Sequence, residues 1–334
     1  MAKTIVVTGG SAGIGLAIAQ RFAETGWQVA IIARDAERLE SARRMLSRGN
    51  AKVLAMSADV ADADAVDAAA DRVAAEFGSI DAWVNNAMST VVAPADRITA
   101  AEYARVTATT YLSQVHGTLA ALRHMKPRNR GAIVQVSSGL AIRAAPLQAA
   151  YCAAKSAVTG FTDSLRAELI ADRSAVSLSI VYLPAVNTPQ PTWARNHSGR
   201  EQILPDPLFD PRLCAEAVYT AVTKPQREFW VGRSTAMMAI GQSLAPERAD
   251  QQAATMIADM TGDPVPDRAG NLDQAVPGPA QIDGPWPDRV KPTRTEIFSS
   301  RQRDLLKAGT AGALVSAGLA VGYGLSRLLP RART

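Results

Sequence analysis

The chain has 334 residues, 47% of them hydrophobic and 20% charged, a composition that supports a sizeable core and excludes global disorder. Two cysteines exclude a zinc cluster or disulfide scaffold and suit a reducing, cytoplasmic compartment, and with three histidines we predict no metal site. The net charge of +5 is concentrated in residues 286–334, which hold nine Lys or Arg against three acidic residues. The near-neutral remainder argues against nucleic-acid binding.

Short apolar runs alternate with helical patterns up to about residue 233, and the first run begins too early to follow a secretory signal. Because these runs are apolar throughout, they predict a parallel sheet covered by helices on both faces. We predict an α/β fold for residues 1–233, a helical and Pro/Gly-rich extension at 234–300 and a basic, apolar tail at 301–334. The predicted strands are residues 4–8, 29–33, 53–58, 82–85, 132–137, 176–182 and 229–231.

A glycine-rich turn joins the first strand to the first helix. Gly9, Gly13 and Gly15 allow a tight turn and close approach of a pyrophosphate, and the helix N-terminus offers free N–H groups. This position in a βαβ unit predicts dinucleotide binding. An acidic residue at the end of the second strand would favour NAD. Here this strand ends in Ala33 and Arg34, so we predict that Arg34 binds the 2′-phosphate of NADP. Alternatively, Arg34 pairs with the adjacent Asp35.

Tyr151 and Lys155 lie four residues apart, on one face of a predicted helix. An unperturbed phenol has a pKa near 10, and a neighbouring ammonium lowers the pKa of such a group. Ser138 ends a predicted strand, from which its hydroxyl can donate to a substrate carbonyl. These three residues predict acid–base chemistry on a carbonyl or alcohol.

The residues discussed so far, taken with others, resemble the classical short-chain dehydrogenases/reductases over about residues 3–233. The resemblance implies a Rossmann-like domain with a seven-stranded parallel sheet, assembly as a dimer or tetramer, and hydride transfer between nicotinamide and a carbonyl/alcohol pair. The motifs that carry it are residues 8–15, 59–60, 85–87 and 151–155, with Ser138, Pro184 and Thr188.

The resemblance also implies residue roles. Tyr151 becomes the general acid–base, Ser138 orients the carbonyl, and Lys155 lowers the tyrosine pKa and binds the ribose. Asp59 meets the adenine and Thr188 reaches the nicotinamide carboxamide. The implied cofactor-binding set is Gly9, Ser11, Ala12, Gly13, Ile14, Arg34, Asp59, Val60, Asn85, Ala87, Tyr151, Lys155 and Thr188, with Asn85 and Ala87 on the adenine-ribose side.

Three positions depart from the family pattern. Met88 replaces a glycine beside the nicotinamide, and Ala185 replaces the glycine after Pro184. Thr110 stands where the family has an asparagine that binds a water in the proton relay. Either the relay is altered, or Thr110 satisfies a backbone carbonyl in its own helix.

Two segments beyond these motifs bear on function. Residues 189–211 are in the position of a substrate lid, and their apolar side chains either bind a hydrophobic substrate or pack the lid on the body. Residues 308–326 carry no formal charge and could anchor the chain in a membrane, dock as a soluble helix or lie flat on a membrane.

These features together predict an NADP(H)-dependent oxidoreductase that interconverts a carbonyl and an alcohol on a lipophilic small molecule. The alternatives are a membrane-tethered dinucleotide-binding protein without turnover, acting as a redox sensor, and a lyase or epimerase that retains its nicotinamide.

Overall fold

The computed structural model describes residues 2–49, 51–293 and 295–302. In these ranges the chain forms twelve strands: β1 (Thr4–Thr8), β2 (Gln28–Ala33), β3 (Val53–Ser57), β4 (Ala82–Asn85), β5 (Val91–Val92), β6 (Gly131–Ser138), β7 (Val176–Leu183), β8 (Arg195–Asn196), β9 (Arg200–Gln202), β10 (Glu228–Val231), β11 (Thr261–Pro264) and β12 (Ile297–Ser299). It also forms ten α-helices: α1 (Gly13–Ala23), α2 (Ala36–Leu46), α3 (Ala63–Phe77), α4 (Ala100–Thr107), α5 (Ser113–Met125), α6 (Ala149–Ala171), α7 (Gln190–Trp193), α8 (Pro211–Thr223), α9 (Arg233–Leu244) and α10 (Pro246–Asp259).

Eight of the described strands form one sheet in the order β12-β10-β7-β6-β4-β1-β2-β3. Seven of them are parallel, and they are the seven runs predicted from the sequence. The eighth, β12, comes from the extension and pairs antiparallel with β10. The predicted Rossmann-like α/β fold is therefore confirmed, and the extension adds an edge strand to it.

Helices cover both faces of the sheet, as the apolar strands require. In β1, Ile5 and Val7 pack in one core with residues of α1, α2 and α8, whereas Val6 faces a second core with residues of α3, α5 and α6. These three side chains are fully buried. Burial of such a side chain contributes about 1.5–3 kcal/mol to folding, so the alternation fixes the register of the central strand.

The strand order reverses beside β1, where the chain first builds β2 and β3 on one side and then places β4 on the other. At the carboxyl ends the loops after β1 and β4 diverge, which opens a crevice. The hydroxyl of Thr8 accepts hydrogen bonds from the N–H groups of Asn86 at 2.9 Å and Ala87 at 3.1 Å. The two strands are thus fastened together at the mouth of this crevice.

The extension after β10 packs on the domain. After α9, α10 and β11, residues 265–293 run largely without regular structure, yet Leu272, Ala280 and Ile282 are buried in the cores. In the described part of the chain, no helix combines the length and apolar character needed to cross a membrane. The predicted anchor at residues 308–326 lies outside the described residues.

Candidate active site

The glycine-rich turn after β1 has the backbone that a dinucleotide requires. Gly9 and Gly13 adopt φ angles of +68° and +53°, which favour glycine. A Cβ on Gly15 would overlap the Gly9 carbonyl oxygen and lie 2.5 Å from the Asn86 amide nitrogen. No side chain caps the N-terminus of α1, and its first turn has no acidic residue. The turn therefore fits a pyrophosphate group.

One cleft along the carboxyl ends of the strands collects the predicted site residues. The glycine-rich turn after β1 lines its middle. Charged residues that follow β2 and β3 lie at one end, and hydroxyl groups and a lysine from β6 and α6 lie at the other. The predicted residues that line it are Gly9, Ser11, Ala12, Gly13, Ile14, Arg34, Asp59, Val60, Ala87, Ser138, Tyr151, Lys155 and Thr188.

Asn85 is the exception, because it is the one predicted cofactor-binding residue that does not line this cleft. Its side chain is fully buried and points away from the cleft, where it accepts from the indole N–H of Trp83 at 2.8 Å and donates to the Gln135 carboxamide oxygen at 2.9 Å. Side chains alternate along a strand, so its neighbour Asn86 faces the cleft instead. The carboxamide of Asn86 donates to the Thr8 carbonyl at 3.0 Å.

At the charged end, the carboxylates are already engaged. The carboxylate of Asp35 caps α2 by accepting from the N–H of Arg38 at 2.9 Å, and Asp59 accepts from Arg105 at 2.6 Å. Burial raises the pKa of Asp59, but hydrogen bonds from the Ala61 N–H and from Arg105 lower it. The net pKa lies below its usual value, so the carboxyl is ionised at neutral pH. Arg34 hydrogen-bonds only to backbone carbonyls among its described partners, and the carboxylates of Asp59 and Asp273 act on its charge from a distance.

At the other end lie Ser138, Tyr151 and Lys155, contributed by β6 and α6. The Lys155 ammonium nitrogen is 5.8 Å from the centroid of the Tyr151 ring and 2.7 Å from the Val136 carbonyl oxygen. The Gln114 carboxamide donates to the same carbonyl at 3.1 Å. The three residues therefore lie close together, and Lys155 is held by a backbone carbonyl.

The pKa values of this group differ from the expectation. Burial raises the pKa of Tyr151, and the hydrogen bond with Ser138 lowers it by less. Burial also lowers the pKa of Lys155 to about 7, because only 1% of this residue is exposed. Removal of the phenol from water is therefore the largest influence on the pKa of Tyr151, and the predicted lowering by the ammonium stays a prediction.

Thr110 does not satisfy a carbonyl of its own helix, as one alternative predicted, and the altered proton relay stays a prediction. It lies in a π-helical turn, Ala108–Leu112, between α4 and α5. Its hydroxyl accepts from the Ser89 N–H at 3.0 Å and donates to the Ser89 carbonyl at 2.8 Å. Thr110 therefore fastens the loop after β4 to this turn, and the carbonyl that it satisfies belongs to that loop.

Comparison with known proteins follows from this geometry. The family model for the short chain dehydrogenases matches residues 3–197. The chain belongs to the short-chain dehydrogenase family. The family consists of oxidoreductases that bind a nicotinamide dinucleotide, in agreement with the glycine-rich turn and the Ser138, Tyr151 and Lys155 cluster.

Individual members of the short-chain dehydrogenase family align over most of the domain. An uncharacterized oxidoreductase, YxnA of Bacillus subtilis, is 30% identical over 251 residues, which cover 75% of this chain and 70% of that protein. A fatty acyl-CoA reductase of Acinetobacter baylyi is 29% identical and covers 67% and 75%. The structure of an alcohol dehydrogenase from Thermococcus sibiricus, complexed with 5-hydroxy-NADP, has a TM-score of 0.59 at 25% identity and covers 69% and 96%.

Part of the cleft wall near Ser138 and Tyr151 of this short-chain dehydrogenase comes from outside residues 3–197, the range that the family model matches. Met238 of α9 and Met256 and Met260 at α10 line the cleft. Met238 contacts the backbone after Ser138 so closely that a Cβ on Gly139 would lie 2.6 Å from its methyl group. The wall therefore presents apolar, adaptable methionine side chains beside Ser138.

Some apolar side chains of the predicted lid, residues 189–211, are placed to contact a substrate, and others pack the lid on the body. Trp193 and Leu204 line the cleft, whereas Leu208 and Phe209 are buried in the body. Two of its side-chain amide atoms, the Gln190 nitrogen and the Gln202 oxygen, are buried among the cleft residues, and no hydrogen-bond partner for them lies in the described part of the chain.

The sequence reading missed the cleft residues that come from the extension. These are the three methionines, together with Asn271, Ala275 and Val276. The last three lie in a Pro/Gly-rich segment without periodicity, so no local pattern marks them. The methionines lie on predicted helices, but helical periodicity alone does not indicate which surface of the domain they face.

Proposed function

We propose that this short-chain dehydrogenase uses NADP(H) to reduce a ketone or aldehyde on a lipophilic small molecule, or to oxidise the matching alcohol, with Tyr151 as general acid–base. The observation that carries the proposal is the convergence of Ser138, Tyr151 and Lys155 beside the methionine-lined wall. A substrate in this position meets hydroxyl donors at its reacting end and apolar surface along its remainder.

The chemistry divides between the protein and the nicotinamide, which supplies or accepts the hydride when bound. Ser138 donates a hydrogen bond to the carbonyl oxygen and orients it towards Tyr151. Burial keeps the phenol protonated at neutral pH, so Tyr151 can deliver its proton to that oxygen as negative charge develops. Lys155, held at the Val136 carbonyl, favours the phenolate that remains.

The preference for NADP is supported by the charge at the other end of the cleft. Arg34 has neutral carbonyl oxygens as its described hydrogen-bond acceptors, while Asp35 is committed to the N-terminus of α2. A 2′-phosphate would be attracted by this guanidinium, which forms no direct ion pair among the described residues. Arg38, 5% exposed, adds a second guanidinium beside it, whose charge is partly balanced by the Asp35 carboxylate at 3.8 Å.

The lipophilic substrate is supported by the wall and by a relative. Methionine side chains adapt to irregular apolar groups, and Met238 places such a group directly beside the catalytic serine. The Acinetobacter baylyi relative is named for a fatty acyl-CoA substrate. We therefore propose aliphatic carbonyl compounds as the first substrates to test.

The test is NADPH consumption by the purified protein with aldehydes and ketones of increasing chain length. Tyr151→Phe should reduce turnover by about 100- to 10,000-fold, the usual contribution of a general acid, while NADPH still binds. Tyr182→Phe is the matched control, because Tyr182 lies outside the cleft and contacts the Thr159 hydroxyl at 3.3 Å. Equal turnover by the two variants would reject the mechanism. NADPH binding without turnover of any compound would favour the non-catalytic alternative.

A further inference from the structure

Residues 271–284 of the extension, which we call the strap, cross the cofactor end of the cleft. The strap begins where the Asn271 N–H donates to the Trp193 carbonyl at 2.8 Å, and it ends where the Gly284 N–H donates to the Asn187 carbonyl at 3.1 Å. Both acceptors lie in the segment after β7. The strap therefore leaves this segment and returns to it, passing over the glycine-rich turn between the two points.

The first part of the strap holds Arg34. Carbonyl oxygens of Asn271, Leu272 and Asp273 accept from its guanidinium at 2.5, 3.1 and 3.0 Å. The Leu272 carbonyl also accepts from Arg105 at 3.2 Å. These acceptors are neutral, so they fix the direction of the guanidinium groups without neutralising their charge.

The middle of the strap holds Arg38 in the same way. Carbonyls of Val276 and Gly278 accept from its guanidinium, which also lies 4.4 Å from the Trp193 ring centroid. Further along, the Gln281 carbonyl accepts from the Gly13 N–H at 2.9 Å. The strap thus contacts both the charged end of the cleft and the turn that fits the pyrophosphate.

Polar and apolar groups of the strap also face the cleft itself. Asn271, Ala275 and Val276 are among its lining residues. The Asn271 carboxamide oxygen is buried there and has no hydrogen-bond partner among the residues that the structure describes. A buried acceptor without a donor is costly, so this oxygen suits a ligand that brings a donor. The amino and hydroxyl groups of adenosine are such donors.

We propose that the strap is part of the dinucleotide site: it encloses the adenosine end of the cofactor, fixes Arg34 and Arg38 there, and offers Asn271 as a hydrogen-bond acceptor. This assignment rests on the proposed function, because it requires a dinucleotide in the cleft. It gives the extension, which lies beyond residues 3–197 of the family match, a direct role in cofactor binding.

Leu272 provides a way to loosen the strap without touching the cofactor-facing groups. Its fully buried side chain packs with Val106 and with Ala150 and Ala154 of α6. Leu272→Ala removes this apolar anchor but removes none of the backbone carbonyl groups that contact the arginines. Leu169→Ala is the matched control, since Leu169 is 3% exposed in α6 and packs in a different core, away from the cleft.

Binding is measured by calorimetry with NADPH and with its two halves, adenosine 2′,5′-bisphosphate and nicotinamide mononucleotide. Leu272→Ala should weaken the bisphosphate about tenfold, through lost preorganisation, and leave the mononucleotide within about twofold. Asn271→Ala, which keeps the backbone contacts, should weaken the bisphosphate about fivefold, the value of one hydrogen bond. Leu169→Ala should change neither half.

The outcomes separate the strap from the proposed function, because binding requires no turnover. If the wild-type protein binds NADPH and Leu272→Ala and Asn271→Ala bind the bisphosphate as tightly, the strap is not part of the site. Equal losses for both cofactor halves, or for Leu169→Ala, would also overturn the assignment. Failure of the wild-type chain to bind any dinucleotide would overturn the strap's role and the proposed function together.

Discussion

Replacing Gly117 by alanine places a methyl group where α5 approaches β4 most closely. The new Cβ would overlap the carboxamide oxygen of Asn85 and lie 2.5 Å from the indole nitrogen of Trp83. These two atoms form a buried hydrogen bond of 2.8 Å, so the methyl group must separate them or push the helix off the sheet.

The size of the effect follows from the groups displaced. Leaving a buried donor unsatisfied costs about 1–3 kcal/mol, and overpacking a core costs about another 1–3 kcal/mol. Alanine returns about 1 kcal/mol through its higher helix propensity. We therefore expect Gly117→Ala to lower the free energy of unfolding by about 3 kcal/mol.

The assay is urea unfolding followed by circular dichroism, with Gly160→Ala as the control. Gly160 is also helical, in α6, but its added Cβ would meet no atom within 4 Å. Both changes reduce the freedom of the unfolded chain alike, so their difference reports packing alone. We expect the midpoint to fall for Gly117→Ala and to rise slightly for Gly160→Ala. Equal midpoints for the two variants would refute the argued contact.

Three further predictions concern the cleft. Burial lowers the pKa of Lys155 from its usual 10.5 to about 7, so the unfolded chain binds more protons than the folded chain between these pH values. The stability of the wild type relative to Lys155→Met should therefore rise across pH 7–9, by at most about 1.4 kcal/mol per pH unit. A difference in urea midpoint that does not change with pH would contradict this. Arg34→Gln should weaken NADPH about 10- to 100-fold more than NADH in fluorescence titrations, whereas Arg44→Gln, a change at an exposed position of α2, should alter neither; equal losses for both cofactors would remove the 2′-phosphate role. Met238→Ala should raise KM about tenfold for long aliphatic carbonyls and leave the KM of short ones unchanged. An equal change in KM for long and short compounds would show that Met238 does not contact the alkyl chain of the substrate.

The strands and the catalytic cluster could be predicted because their signals are local. Each of the seven parallel strands is an apolar run bounded by turn residues, and the spacing of Tyr151 and Lys155 places both on one face of α6. Strand β12 has no such signal. It consists of Ile297–Ser299, three residues whose pairing with β10 depends on the distant edge of the sheet.

Other features depend on contacts that residue types do not encode. The strap holds arginines through backbone carbonyls, which every residue possesses, so its sequence gives no indication of the role. Asn85 and Asn86 are chemically identical, and both faces of β4 are buried, so polarity could not distinguish which asparagine faces the cleft. The raised pKa of Tyr151 depends on its burial, which only the packing of the complete domain determines.

Chain connectivity gives the strap a mechanical property. It lies between two fixed attachment points, because β11 pairs with β9 before it and β12 pairs with β10 after it. A loop fastened at both ends can detach in the middle while the sheet and helices remain folded, and re-closing it carries only a small entropic cost. Release of the strap would leave the central sheet paired, but it would expose Leu272, Ala280 and Ile282, which are buried in the cores. If the strap encloses the dinucleotide as proposed, substitutions in these 14 residues, which contribute no strand to the central sheet, should change the lifetime of the bound cofactor.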